Sequence, residues 1–445
     1  MNQAAVIVVG AGISGLAAAV ALNRRGVQVL VLEAGSAAGG AIRTIERDGY
    51  RCEAGPNTLM LSKPGSIGFL EEIGLAQQAL DAAPDAKRRF VVQEGRLVAL
   101  PTSPLAFLFS GFMSWRSKCL LTREPFIAPG RDPDETLAAF VRRRLGEEFL
   151  RELAGPFVSG VYAGDPEKLV TRHALPRLYE VEQAHGSLIR GAFRRRRGAM
   201  PKGRLVSWSS GLRGLVDGLA AKLGEGLRLS TAVKEIRRNG PGYSIETAAG
   251  RFTASRVVLA VDAGAAARLL APLHSPMTAL EEMPHAPMCV IHLGFRRNAV
   301  GHPLDGFGML ISRSRGIRTL GALFSSTLFP GRAPPEHVLL TGFVGGMLDA
   351  AAMALDDAGL VKTVLADLAP LLHIQGEPVF RNVIRWERAI PQYHGDYRAV
   401  LELCEQIERE CPGLYLAGNY RGGISLEDCL INGARVADQA AGFAA

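Results

Sequence analysis

The chain has 445 residues, 48% of them hydrophobic and 21% charged. That apolar share excludes a disordered chain, and at roughly 100–200 residues per domain the length excludes one small module in favour of two or three domains. Fifty-one Lys and Arg against 43 Asp and Glu leave a net charge of +8, which suits an anionic partner such as a membrane surface, nucleic acid or an acidic ligand without choosing among them.

The N-terminal AAVIVVG, AGISG, LAAAVALNRRG and VQVLVLEAG read as strand, tight turn, helix and strand, a βαβ unit. LSKPGSIGFLEEIGL follows as a helix, and RRFVVQEGRLVALP as a hairpin turning at Glu94 and Gly95. LAFLFSGFMSW is apolar and aromatic, TREPFIAPGRDPDE is a proline-rich loop, and a helical pattern resumes at ETLAAFVRRRLGEEFLRELAGPF. Arg194 to Arg197 form the densest charge run. A helix (GLRGLVDGLAAKLG) and three strands (LRLSTAVKEIRR, YSIETAAG, RFTASRVVLAV) come next, then a middle section with strand-like MCVIHLGF and VLLTGFVGG. LYLAGN, YRGGIS and LEDCLINGARVADQAAGF repeat strand, turn and helix at the end, so the chain is expected to leave one α/β domain and return to close it. No apolar stretch reaches the ~18–20 residues of a spanning helix, and no basic leader or cleavage site precedes the first strand. Cys52, Cys119, Cys289, Cys404, Cys411 and Cys429 include no Cys-x-x-Cys pair, so neither a metal site nor a disulfide framework is expected.

Gly10, Ala11, Gly12, Ile13, Ser14 and Gly15 follow a strand and open a helix, the context that makes a glycine pattern a dinucleotide site. Gly10 permits the turn, Gly12 lets a pyrophosphate approach the backbone, and Gly15 lets helix and strand pack closely. Glu33 with Ala34 ends the second strand roughly 20 residues on, where a carboxylate accepts ribose hydroxyls. A second glycine turn, Gly39 and Gly40 with Ala41 and Arg43, suits a cofactor that runs deeper into the protein; Arg43 could equally be a surface ion-pair partner. Gly418 and Asn419 precede a helix starting near Ser425, whose N-terminus would favour a reduced flavin. Ser425 to Asp428 also fit a capping box, whose carboxylates would occupy that same positive end.

These turns resemble the FAD-dependent amine-oxidase superfamily. GPFVSGVYAGDPEKL, LYEVEQAHGSLIRGAF, the run Ile390 to Tyr393, and Gly423 to Cys429 are similar to the oxygen-dependent protoporphyrinogen oxidase family, over essentially the whole chain. The resemblance implies an α/β fold: a discontinuous Rossmann-type FAD-binding domain (1–65, 205–265, 385–445), a substrate-binding domain (66–95, 266–384) and a mainly helical membrane-binding domain (96–204). It implies FAD as cofactor, a porphyrinogen substrate oxidised by six electrons in three FAD cycles, and O2 reduced to H2O2. It further implies peripheral attachment to the cytoplasmic face of a membrane, with a homodimer possible; no nucleic acid is expected, because the basic run lacks interleaved aromatics and a recognisable binding module. Carried over by position, cofactor contacts fall on Gly10 to Gly15, Glu33, Ala34, Gly40, Ala41, Arg43, Gly55, Pro56, Asn57, Thr58, Val233, Trp386, Gly418, Ile424, Ser425 and Leu426. Ala41 stands where some members carry a bulkier residue. Trp386 would wall the flavin or be plain core.

On the same basis Asn57 would orient the substrate through its amide, or be a turn residue. Arg89 would bind a propionate, or end a solvated strand, and Gly160 would let a macrocycle approach. His173, His185, His285 and His394 are scattered and are expected in surface or core roles. The LAFLFSGFMSW run and the arginine cluster would meet a membrane, or else line a pocket and face water. Coproporphyrinogen III oxidation, another amine or polyene oxidase, and a non-catalytic lipid carrier of the same fold are the alternatives.

Overall fold

A computed structural model describes residues 2–101, 103–195, 203–312 and 316–442. Apolar runs form a first sheet in which Gln3–Val9 lies parallel between Val29–Leu32 and Gly250–Leu259. Leu227–Arg228 extends one side, and the antiparallel strands Gly242–Thr247 and Val233–Asn239 extend the other. Strand Gly250–Leu259 changes partner midway: residues 250–254 pair with Gly242–Thr247, and 257–259 pair in parallel with Leu414–Leu416.

Helix Ile13–Arg24 is buried from Ile13 through Leu22, because its alanines fit between the sheet and the last helix, Leu426–Ala441. Those two helices approach so closely that a Cβ on Gly433 would lie 2.2 Å from Ser14 O. Strand, turn, helix and strand are thus realised at the N-terminus, and strand, turn and helix at the other end, in one sheet.

The second sheet runs Phe380–Pro391, His285–Arg296, His337–Gly345, Thr319–Phe324, Gly308–Ile311, Arg89–Gln93 and Arg96–Ala99. Helix Asp357–Leu372 covers one face through Leu360, Val364 and Leu368. Its terminal hairpin turns at Glu94 (φ 48°) and Gly95 (φ 73°), two left-handed residues as a tight two-residue turn requires.

Helices Pro104–Phe109, Trp115–Leu121, Leu137–Leu145, Gly155–Tyr162, Pro176–His185 and Leu188–Arg195 make up the third part. Fully buried Arg144 ties them together by pairing with Glu182 and, at 3.1 Å, with Glu124. Glu124 in turn accepts from Leu188 N (2.8 Å) and Ile189 N (3.2 Å), placing a carboxylate at a helix N-terminus.

The domain limits implied by the resemblance differ from this packing in three places. Residues 66–75 belong to the first core, where Leu70, Ile73 and Leu75 are buried, and not to the second sheet. Strand Arg96–Ala99 completes the second sheet and is not part of the helical segment, because the hairpin register binds it to Arg89–Gln93. Residues 385–391 continue an edge strand of the second sheet before the chain returns to the first. No helix among the described residues is long and apolar enough to cross a membrane.

Candidate cofactor and substrate site

The glycine turn after the first strand separates two demands. Gly10 is left-handed (φ 98°), and a Cβ there would fall 2.5 Å from Ala260 O; at Gly15 it would fall 2.0 Å from Gly10 O. Both glycines are required by the protein itself. Gly12 differs: its backbone is extended (φ −68°, ψ 175°) and a Cβ would meet nothing within 4 Å. Gly40 (φ 59°) stands opposite, its Cβ position 3.4 Å from Gly12 Cα, and Gly39 N donates to Ala11 O at 2.8 Å. The two glycine turns therefore flank side-chain-free backbone at the start of helix Ile13–Arg24. That helix has neither a side-chain cap nor an acidic residue in its first turn, so its N–H groups are left for a ligand.

Glu33 is held in place by accepting from Ala11 N (2.6 Å) and Gly35 N (2.7 Å). Its carbonyl accepts from Thr231 N at 2.7 Å, which brings the strand beginning at Val233 beside it; Ala34 is exposed next door.

Gly55 approaches the second turn so closely that a Cβ would lie 2.4 Å from Ala41 O. Arg43 makes no carboxylate pair among the described residues. Its Nε donates to Gly40 O (3.2 Å) and its guanidinium sits 5.0 Å from the Trp386 ring centroid. Trp386, half-buried, donates through Nε1 to Ala54 O at 2.7 Å. Asn57, half-buried between Pro56 and Thr58, donates from Nδ2 to Gly55 O (3.0 Å), which fixes its amide and leaves Oδ1 as the acceptor.

Behind this segment lies a buried network that sequence reasoning missed. Glu53 accepts from Thr44 Oγ1 (2.7 Å), Leu212 N (2.9 Å) and Arg332 Nη1 (2.6 Å), and Arg332 also donates to Ser207 Oγ at 2.8 Å. Arg332 and Glu53 are 279 positions apart, so no local pattern signals the pair. His292, deep in the second sheet, is pushed down to about 4 by burial, and is neutral near pH 7.

The C-terminal turn is held from below. Tyr393 Oη donates to Asn419 O (2.6 Å) and accepts from Gly423 N (3.2 Å), while Tyr397 Oη accepts from Gly422 N (3.3 Å). The two rings stack at 4.0 Å. Tyr393 lies within the run Ile390 to Tyr393, but nothing in that run assigned it a role. Tyr393→Phe strips a buried polar contact from both Asn419 O and Gly423 N, at about 1–3 kcal/mol. We expect a lower Tm and a turn that binds cofactor more weakly; an unchanged Tm and flavin content would remove the clamp from the account.

Ser425 caps the last helix by accepting from Asp428 N at 3.0 Å, and its hydroxyl donates to the Asp428 carboxylate at 2.6 Å, which is half of the expected capping box. The expectation that both carboxylates crowd the positive end is corrected for Glu427, while Asp428 stays at the cap. Glu427 turns away to accept from Ser62 N (2.6 Å), Lys63 N (2.8 Å) and Ser66 Oγ (2.6 Å) at the start of helix Pro64–Glu72, and Asp428 is countered by Lys63. Gly418, Ile424 and Leu426 stay half-buried around the turn, with Leu426 against the first core.

Arg89 and Gly160 converge on one strand. Arg89 pairs with Gly308, and a Cβ on Gly160 would reach 2.3 Å from the Leu310 side chain. Val91 and Leu310 face the helical part, packed with Phe112 and Met113, so strand alternation puts exposed Arg89 on that same face, its guanidinium 5.4 Å from the Phe307 ring centroid.

The histidines stay apart. His173 meets Tyr397 edge-on at 4.9 Å and is pushed down to about 4 by burial, His285 bonds Met283 O, and His185 and His394 each bury one unpartnered ring nitrogen. No group of three or more metal-ligating side chains occurs among the described residues. Arg194 is exposed at the end of helix Leu188–Arg195; Arg196 and Arg197 lie outside the described residues.

Similarity to known proteins matches this geometry. Residues 13–441 match the family described as flavin containing amine oxidoreductase. The chain is 32% identical to the mitochondrial protoporphyrinogen oxidase of Nicotiana tabacum, covering 97% of this chain and 94% of that one. It is 30% identical to the coproporphyrinogen III oxidase of Bacillus subtilis, with 96% of each covered. A solved structure from Exiguobacterium sp. 255-15 shares the fold, with a TM-score of 0.82 at 24% identity over 99% of this chain and 98% of that one. The uncapped helix, the paired glycine turns and the Glu33 carboxylate fit a flavin dinucleotide. Hence the chain belongs to the flavin containing amine oxidoreductase family and is an FAD-dependent oxidoreductase.

Proposed function

We propose that the enzyme oxidises a porphyrinogen to the corresponding porphyrin in haem biosynthesis, with protoporphyrinogen IX as substrate and O2 as acceptor. The observation that carries this reading is full-length similarity to enzymes named as porphyrinogen oxidases. Bound FAD supplies two-electron oxidation, so three rounds remove the six electrons and six protons, and three O2 leave as H2O2.

The chain's own residues bind and orient. Arg89 offers a fork of donors to a propionate carboxylate, on the sheet face shared with Leu310 and Gly160. Asn57 presents Oδ1 to a pyrrole N–H, its Nδ2 being committed to Gly55 O. Gly12, Gly40 and Glu33 would hold the pyrophosphate and ribose, and Arg43 on Trp386 would close the rim. Such placement acts by orientation, not by acid–base chemistry.

Purified holoenzyme given protoporphyrinogen IX or coproporphyrinogen III in air, followed by porphyrin fluorescence and peroxide, tests the reading. Formation of one porphyrin above the autoxidation blank, with peroxide, names the substrate; neither product overturns the proposal. Coproporphyrinogen III is the second reading because the Bacillus subtilis relative covers the chain as fully. For Arg89→Ala we expect a porphyrinogen KM at least tenfold higher with FAD retained; an unchanged KM rejects the contact.

Attachment to the cytoplasmic face of a membrane is part of the same proposal. Phe109 and Phe126 are each 83% exposed, and Leu105, Trp115 and Phe193 also face outward from the helical part, beside Arg194. Co-sedimentation with vesicles containing an anionic lipid is expected, and protein left wholly in the supernatant would refute it.

A further inference from the structure

Three consecutive carbonyl oxygens beside the cofactor cradle each take a side-chain donor: Glu53 O from His292, Ala54 O from Trp386, and Gly55 O from Asn57. The last two donors are residues the sequence singles out. His292 is not, yet it sits fully buried within strand His285–Arg296, directly opposite Asn382 on the edge strand. Its strand neighbours Val290, Ile291 and Leu293 are apolar and buried, so an imidazole here costs free energy unless both nitrogens are bonded.

Both are bonded, and the direction of the chain is forced. Glu53 O is a carbonyl and only accepts, so His292 Nε2, at 3.1 Å, carries the proton. Nδ1 of the neutral ring is then an acceptor, and Asn382, at 3.2 Å, must present its Nδ2 hydrogens. No other tautomer satisfies all three groups.

We propose that Asn382 and His292 form a positioning pair, in which Asn382 selects the tautomer and His292 fixes the Glu53 carbonyl, and with it the aim of residues 54–57. His292 reaches the reacting groups only through that segment: Ala54 carries Trp386, Gly55 abuts Ala41, and Asn57 bonds Gly55 O through Nδ2. The turnover arm of the test rests on the porphyrinogen reading; the flavin arm does not.

The experiment compares His292→Leu, which fills space without a donor, with His292→Gln, whose amide returns a donor near the Nε2 position. In the purified holoenzymes His292→Leu is expected to alter the visible band shape of bound FAD and to lower kcat at least tenfold with little change in KM, while His292→Gln recovers both. Asn382→Leu, at a half-buried edge position, is expected to give a smaller loss of about threefold, and it carries the test if His292→Leu does not fold. Wild-type flavin spectra in His292→Leu, or in Asn382→Leu when the former does not fold, overturn the proposal. So does a folded His292→Gln no better than His292→Leu. Absence of porphyrin formation by the wild type would instead sink the substrate reading and leave the spectral comparison standing.

Discussion

Gly12→Val is expected to yield a folded protein that purifies without yellow colour. The extended backbone at Gly12 is open to any residue, and the space its side chain would enter holds no protein atom. Nothing in the fold therefore asks for glycine there; only a ligand pressed against the backbone does. We expect FAD affinity to fall at least a hundredfold, with circular dichroism and apoprotein Tm close to wild type. Gly15→Val is the contrasting variant. Its Cβ would overlap Gly10 O at 2.0 Å, backbone that cannot move without breaking the turn, and insoluble protein is expected. Stoichiometric flavin in Gly12→Val would mean that the pyrophosphate lies elsewhere.

The second large effect concerns stability. Arg332→Met leaves the Glu53 carboxylate buried with only a hydroxyl and one backbone N–H, where three donors now hold it. Breaking a buried ion pair from one side costs about 3–5 kcal/mol, because the surviving charge is uncompensated. Adding Glu53→Gln to Arg332→Met removes that charge while an amide oxygen still accepts from Leu212, so the double variant should be more stable than Arg332→Met alone. Denaturant unfolding of the single and double variants measures this, and simple additivity of two losses would show that the pair is not coupled.

What the sequence discloses follows the range of the interactions involved. The first glycine turn, the Glu94–Gly95 hairpin and the closing strand, turn and helix are local, with each residue constrained by neighbours a few positions away, and each is where the motifs put it. The cofactor cradle is legible for the same reason. Glu427 shows the limit: it sits in the first turn of the last helix, where a carboxylate suits the positive end, but its partners Ser62, Lys63 and Ser66 lie more than 360 positions earlier, and three donors there outweigh the local option. Arg332 is another such case, as is Tyr393, whose hydroxyl finds Asn419 across a chain reversal. The implied limit at residue 96 likewise cuts a hairpin, because strand pairing, not residue type, decides which sheet a strand joins.

The close seating of the first helix on the last has a consequence for how the protein is made. Ser14, in the first turn of the nucleotide cradle, rests against Gly433, so the wall behind that cradle is supplied by residues synthesised long after the cradle itself. Chains grow and fold from the N-terminus, and until helix Leu426–Ala441 emerges the face of helix Ile13–Arg24 has no cover. Cofactor loading is therefore expected to wait until helix Leu426–Ala441 has emerged and packed. A ribosome-stalled chain interrupted before residue 426 should stay flavin-free however much FAD surrounds it.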